Sequence, residues 1–206
     1  MEQSGSQPRI GVVVLAAGAS TRLGTGATPK QLLTYKGQTL VRRAAQTALA
    51  SLCRPVVVVL GANAVAVGNE LELPIVVTRN REWETGMGSS IRTGLEAMLA
   101  ADAGVDAIVV MLCDQPFVTA DLIDTLIKRR RETSKTIVAT EYDGARGVPA
   151  LFARELFAEI RRLNGHEGAR QIIRNHPDET VAVTFAGAAI DIDTRQDYEA
   201  LCVAKD

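Results

Sequence analysis

Two cations, Arg22 and Lys30, follow a loop of small residues, a carboxylate, Asp114, closes a run of aliphatic residues, and either Asp191 or Asp193 near the end of the chain offers a second. Guanidinium and ammonium groups in that setting offset the charge of a polyphosphate, and a carboxylate beyond a strand end suits a hard cation carried by the same phosphates. The loop reads Leu15-Ala16-Ala17-Gly18-Ala-Ser-Thr-Arg22-Leu-Gly24-Thr-Gly26-Ala-Thr-Pro-Lys30. Gly18, Gly24 and Gly26 permit dihedrals that a side chain forbids, and N–H groups bared in such a loop form a concavity for phosphate oxygens. The expected chemistry is therefore a triphosphate cradle with a metal-binding carboxylate beside it.

Better-known phosphate loops do not fit. Five residues separate Gly18 from Gly24, and Thr25 follows where a Walker loop needs Lys. Gly24-Thr-Gly26 lacks the third glycine of the dinucleotide fingerprint, which disfavours a dehydrogenase.

The elements that must hold these residues are legible as an alternation. Strands are expected at 10–15, 55–60, 74–78, 107–112, 136–140 and 180–184, and helices at 39–52, 88–101, 119–132, 153–163, 167–175 and 194–202. That pattern predicts a single-domain α/β fold, a mostly parallel, Rossmann-like three-layer sandwich with ligands at the carboxyl ends of its strands. The first and fourth strands would then bring the loop and Asp114 together near a switch point. Thr119 is placed to cap a helix, and Asp191 and Asp193 would share one face of a short strand unless Asp193 or Thr194 caps the closing helix. Residues 142–146 form the most turn-rich stretch and are expected as a loop over the active site. His176 is expected to be structural, whereas His166 stands in a more suggestive glycine-rich setting.

Size and charge narrow the classes. A chain of 206 residues supports one large core, expected over 9–206 behind a flexible tail of residues 1–8. A net charge of −1 argues against a nucleic-acid partner, and no apolar run reaches membrane-spanning length. Three scattered cysteines suggest neither a disulfide framework nor a zinc site, so a cytoplasmic setting is expected.

The opening loop, continued by Pro29-Lys30-Gln-Leu-Leu, resembles the signature of nucleotidyltransferases that share the fold of molybdenum cofactor cytidylyltransferase. Further segments are similar in the same order: Asn80-Arg-Glu-Trp83 with Gly86-Met-Gly-Ser-Ser90, Leu112-Cys-Asp114-Gln-Pro116, Gly147-Val-Pro149-Ala-Leu-Phe152, Gly165-His166-Glu-Gly-Ala-Arg170 and Asp191-Ile-Asp193-Thr194. The resemblance implies Mg²⁺ held by Asp114 and Asp193, with Arg22, Lys30 and Asp114 as the catalytic set. It implies a nucleoside triphosphate gripped by Leu15, Ala16, Ala17, Gly18, Arg22, Lys30, Asn80, Gly86, Ser90 and Asp114. Alanine at position 17, where guanylyl relatives carry glycine, favours CTP. Arg146, Pro149, His166 and Arg170 are the expected contacts of a phosphorylated acceptor such as molybdenum molybdopterin, with a molybdoenzyme receiving the product, and Trp83 is a candidate to stack on an acceptor ring. Val148 and His166 depart from the family's usual His and Asp. Acceptors such as methylerythritol phosphate or a sugar phosphate, and a non-catalytic nucleotide- or cofactor-binding module, are the alternatives.

Overall fold

The computed structural model describes residues 8–24 and 28–203. The expectations for Gly26 and for all of the tail but Pro8 lie outside the described residues. A run of seven buried residues forms β1 (Ile10–Ala16) at the middle of the sheet. Its side chains alternate between faces, so Val12, Val14 and Ala16 enter one core layer and Val13 and Leu15 the other. A small hairpin, β2 (Thr34–Tyr35) and β3 (Gln38–Thr39), leads into α1 (Leu40–Ala50), whose first turn is capped by the Thr39 hydroxyl accepting from the Arg42 N–H. Then follow β4 (Val56–Leu60), α2 (Ala64–Gly68), β5 (Val76–Arg79), α3 (Met87–Ala101), β6 (Ala107–Leu112) and α4 (Ala120–Thr133). The chain closes with β7 (Ile137–Tyr142), β8 (Ala145–Ala153), α5 (Phe157–Ile160), α6 (Ala169–Asn175), β9 (Thr180–Thr184) and α7 (Arg195–Val203).

The seven-stranded sheet runs β5-β4-β1-β6-β8-β7-β9, and every pairing in it is parallel except the two made by β8. Helices α1 and α4 cover one face, and α3, α5 and α6 the other, which gives the three layers expected for an α/β sandwich. The strand order reverses at β1, which lies between β4 and β6. Ligand crevices of open α/β sheets form at such a point.

Three expectations need correction. Residues 142–146 are not a loop but the end of one strand, a turn and the start of the next, and of them only Tyr142 reaches a cavity that Asp114 also lines. Asp143 (φ 50°) and Gly144 (φ 71°) make a tight turn that joins β7 to β8, because two successive left-handed residues match the twist of a hairpin. The longest strand, β8, falls where no strand was expected. Its Pro149 sits at an irregularity in the β7 pairing, and the Thr140 hydroxyl donates to the Pro149 carbonyl at 2.6 Å. The helix expected over 153–163 contracts to a 3₁₀ turn at Arg154–Leu156 followed by the short α5.

Candidate active site

Strands β1 and β6 are neighbours in register up to the pair Leu15 and Leu112, and the Cys113 N–H donates to the Leu15 carbonyl at 3.2 Å. This places Asp114 directly beside the loop after β1. Lys30 opens a 3₁₀ turn behind Pro29, and its backbone N–H is held by the Ser20 hydroxyl at 2.9 Å. Its ammonium donates to Asp114 Oδ2 and, at 3.1 Å, to Asp193 Oδ1. Arg22 Nη1 reaches the other oxygen of Asp193 at 2.7 Å. One lysine thus touches two carboxylates that are 79 positions apart in the chain.

Burial by itself disfavours the Lys30 ammonium, but the adjacent Asp114 carboxylate, by charge and hydrogen bond, outweighs it, and the pKa lies above the usual lysine value. Asp191 faces the opposite balance. Burial first, then repulsion from Asp114 and Asp193, pushes its pKa up to about 6. Asp114 Oδ1 and Asp191 Oδ1 are both buried without a hydrogen-bond partner.

Asp193 is carried by a loop, so the strand expected to align Asp191 with Asp193 does not form. Fixed contacts replace it. Ile192 is fully buried in a cluster with Tyr35, Leu40 and Leu201, and its N–H donates to the Asp114 carbonyl at 3.0 Å. Thr194 and Asp197 then bond each other reciprocally, the Asp197 N–H to the Thr194 hydroxyl at 3.2 Å and the Thr194 N–H to Asp197 Oδ2 at 2.7 Å. The helix-capping reading therefore belongs to Thr194, which leaves the Asp193 carboxylate for the site.

The loop after β1 depends on a residue that sequence reasoning passed over. Gln31 is fully buried, and its amide donates to the Ala16 carbonyl at 3.2 Å and the Gly18 carbonyl at 2.7 Å. Only its position next to Lys30 in the Pro-Lys-Gln segment could have pointed to it. Left-handed backbone occurs at Ser20 (φ 59°) and Gly24 (φ 104°), not at Gly18.

A cavity of about 320 Å³ opens against this loop. Leu15, Ala16, Ala17 and Gly18 form one wall, Trp83, Gly86, Met87 and Ser90 the other, and Arg22, Lys30 and Asp114 its charged end. Asn80 stands behind the wall, where its amide donates to the Ser89 and Ser90 hydroxyls at 2.8 and 3.0 Å. Ser90 accepts that bond and keeps its own proton for a ligand. Trp83, considered above for an acceptor ring, lines this cavity beside Ala17 instead.

A second cavity, about 450 Å³, shares Arg22, Lys30, Met87, Leu112 and Asp114 with the first. Its further lining includes Tyr142, Val148, His166, Arg170, Arg174, Asp191 and Asp193. Arg170 donates to the Tyr142 hydroxyl at 3.1 Å and stacks over its ring, and Gly147 leaves the room that this pair needs. Arg174 was not foreseen, and Tyr142 only as the start of the turn-rich stretch. Arg146 and Pro149 do not line this cavity. Arg146 pairs with Glu141 at 3.6 Å on a neighbouring cleft that also includes Arg170 and Arg174, and Pro149 is buried in β8. His166 reaches the cavity through a glycine junction. Gly86 (φ 116°) presses on the backbone of Gly165, and the Gly88 N–H donates to the Gly165 carbonyl at 3.0 Å. His176 bonds Glu159 at 2.6 Å away from both cavities, a structural role.

The donor set suits a hard divalent ion, since the orphaned oxygens of Asp114 and Asp191 and the carboxylate of Asp193 are all oxygen ligands. Among the described residues no three His, Cys, Asp or Glu side chains form a ready-made metal cage. Mg²⁺ and Mn²⁺ do not need one, because substrate phosphates and water complete their shells. Among the described residues, too, no helix is long and apolar enough to cross a membrane.

Residues 12–181 match the family described as MobA-like NTP transferase domain. Nicotine blue oxidoreductase of Paenarthrobacter nicotinovorans is 38% identical over 180 residues, 82% of this chain and 84% of that protein. Purine catabolism protein PucB of Bacillus subtilis is 30% identical over 198 residues, 91% of this chain and 93% of that protein. Among solved structures, Rv0371c of Mycobacterium tuberculosis is similar with a TM-score of 0.78 at 31% identity, covering 96% of this chain and 100% of that one. Its manganese complex is similar with a TM-score of 0.72 at 27% identity, over 96% of this chain and 100% of that one. The switch-point site and these likenesses agree: the chain belongs to the MobA-like NTP transferase family and is, by that membership, a nucleotidyltransferase.

Proposed function

We propose that the protein transfers CMP from CTP to a phosphorylated small molecule, molybdenum molybdopterin in the first instance, releases pyrophosphate, and depends on Mg²⁺. The observation that carries this reading is the wall shared by the two cavities, where Lys30, Arg22 and Asp114 face both. A nucleotide in the first cavity and an acceptor in the second would meet at that wall.

In this reading an acceptor phosphate oxygen attacks the α-phosphorus, a new phosphoanhydride bond forms, and the bond to the β-phosphate breaks, with pyrophosphate leaving. Lys30 and Arg22 hold the triphosphate and take up the charge that develops on the leaving group. Ala16, Ala17 and Gly18 present backbone groups to the base and Ser90 a hydroxyl, while Ala17 narrows the pocket towards a pyrimidine. Asp114 and Asp193 would hold Mg²⁺, which supplies charge neutralisation at the reacting phosphate. No general base is needed, since a phosphomonoester with a second pKa of about 6 is already largely dianionic at neutral pH. Arg170, positioned by Tyr142, is suited to anchor the acceptor's anionic end, with His166 beside it. A molybdoenzyme receiving the product and a cytoplasmic setting complete the proposal.

The test is pyrophosphate release with each of four nucleoside triphosphates and Mg²⁺ over a panel containing molybdenum molybdopterin, methylerythritol phosphate and sugar phosphates. Fast release with CTP and molybdopterin alone supports the proposal, and turnover confined to another acceptor reassigns it. The 38% identical relative named as an oxidoreductase supports a second reading, oxidoreduction in place of nucleotidyl transfer. Oxidation or reduction of an added redox cofactor, with no pyrophosphate released, would establish that alternative.

A further inference from the structure

The cation that the nucleotidyltransferase reading assigns to the triphosphate stands, in this structure, on the carboxylates that would take the metal. The Lys30 ammonium lies against Asp114 Oδ2 and bonds Asp193 Oδ1 at 3.1 Å, while Arg22 holds the second oxygen of Asp193 at 2.7 Å. The Lys30 and Asp114 side chains are only 15% and 9% exposed, whereas that of Arg22 is 69% exposed. Two features make Lys30 a poor candidate to swing aside unaided. Its backbone is fixed to Ser20, and an ammonium this buried is costly to leave without an anion. A divalent ion seeking the same two carboxylates meets an ammonium already between them, and like charges at that range repel strongly. Yet Asp114 Oδ1 and Asp191 Oδ1 remain buried and unpartnered, so the lysine satisfies only part of the oxygen set.

We infer that Lys30 is a placeholder cation that blocks the bare divalent ion and yields the carboxylates only when a triphosphate offers it another anion. Metal and nucleotide then bind as one unit. Each raises the affinity of the other by the same factor, because the coupling is reciprocal. Arg22 contributes less to the block, since its guanidinium is exposed and free to follow the phosphates. The nucleotide half of this inference rests on the proposed function, but the block on the bare ion does not.

The experiment measures Mn²⁺ binding to the full chain by electron paramagnetic resonance, with and without a non-hydrolysable CTP bridged by an α,β-methylene group. For the wild type, Mn²⁺ alone is expected to bind weakly, and the CTP analogue to tighten it at least about tenfold, within the usual range of such couplings. Lys30→Met, which keeps the stem and removes the charge, is expected to bind Mn²⁺ alone at least about tenfold more tightly than the wild type and to lose most of the analogue's effect. Lys30→Arg keeps a cation and is expected to bind the bare ion as weakly as the wild type. A Lys30→Met variant that binds bare Mn²⁺ no better than the wild type overturns the inference. If that variant does not fold, the Lys30 ammonium resonance of the wild type decides by NMR. It should move when Mg²⁺ is added together with the analogue and stay put with the same Mg²⁺ alone. Displacement by Mg²⁺ alone overturns the placeholder. An analogue without effect on the wild type, beside a gain of bare-ion affinity in Lys30→Met, retains the placeholder and counts against the nucleotide reading instead.

Discussion

Lys30 touches Asp114 and Asp193 together, so truncating it unpairs a buried carboxylate and, in the proposed reaction, removes a positive charge from the reacting phosphates. Lys30→Ala is expected to lower kcat by about 10²–10³, the usual worth of one preorganised charged contact, and to cost about 2 kcal/mol of stability. Circular dichroism should still report a folded domain, while pyrophosphate release shows the loss. Asp191 gives a different signal. Its carboxyl binds a proton more readily in the folded chain than in the unfolded one, with a folded pKa of about 6 against an ordinary 3.8. Its contribution to stability is therefore most favourable at low pH and is lost as pH rises from about 4 to 6. Asp191→Asn should flatten that slope and stabilise the metal-free protein at pH 7 by about 1–2 kcal/mol, allowing for solvent screening. Thermal unfolding in a chelating buffer at pH 4.5 and 7 measures it. A wild-type midpoint that does not fall across this range relative to the variant would contradict the assignment.

At the scale of elements, the junction between the start of α3 and the loop before α6 positions both cavities, because Met87 lines each of them. An added methyl at Gly165 would meet the Thr85 carbonyl, a rigid backbone neighbour. Gly165→Ala should cost about 1–3 kcal/mol and reduce turnover by drawing His166 out of line. Gly144→Ala makes the contrast. It strains a residue at φ 71° with open space around it, so about 1 kcal/mol is lost while turnover is unchanged. Thermal midpoints and initial rates of the two variants separate the cases. Much of this level could be read in advance. The aliphatic runs of β1, β4 and β6 and the caps at Thr39 and Thr119 are local signals that the chain obeys. Strand β8 was hidden because Pro149 argues against a central strand, and only its pairing irregularity and the Thr140 hydroxyl make it tolerable there. The Asp143-Gly144 dipeptide was a hairpin signal, but its meaning depended on recognising a strand on both sides.

For the whole molecule, the sheet centre and the carboxylate-bearing loop differ in how deeply they are tied in. Strands β1 and β6 are covered on both faces, whereas residues 190–203 bury chiefly Ile192 and Leu201. Hydrogen exchange should reflect this, with β1 and β6 amides opening only in global unfolding and the 190–203 segment opening locally and sooner. Added Mg²⁺ and CTP should slow exchange in that segment more than in the strands, since Asp193 sits on it. Equal protection in both regions before ligand is added would contradict this picture.

Hydrophobic period, turn chemistry and the glycine loop are written in neighbouring residues, and they were enough to establish an α/β sandwich with Arg22, Lys30 and Asp114 at its switch point. What only the tertiary structure decided are the contacts between residues far apart in the chain. They include Lys30 resting on both carboxylates, Gln31 holding the loop after β1, the pairing of Tyr142 with Arg170, and the exclusion of Arg146 from the second cavity. The physical reason is that periodicity tells which face a side chain takes, whereas its partners depend on strand order and loop path, which are set by packing the whole core at once.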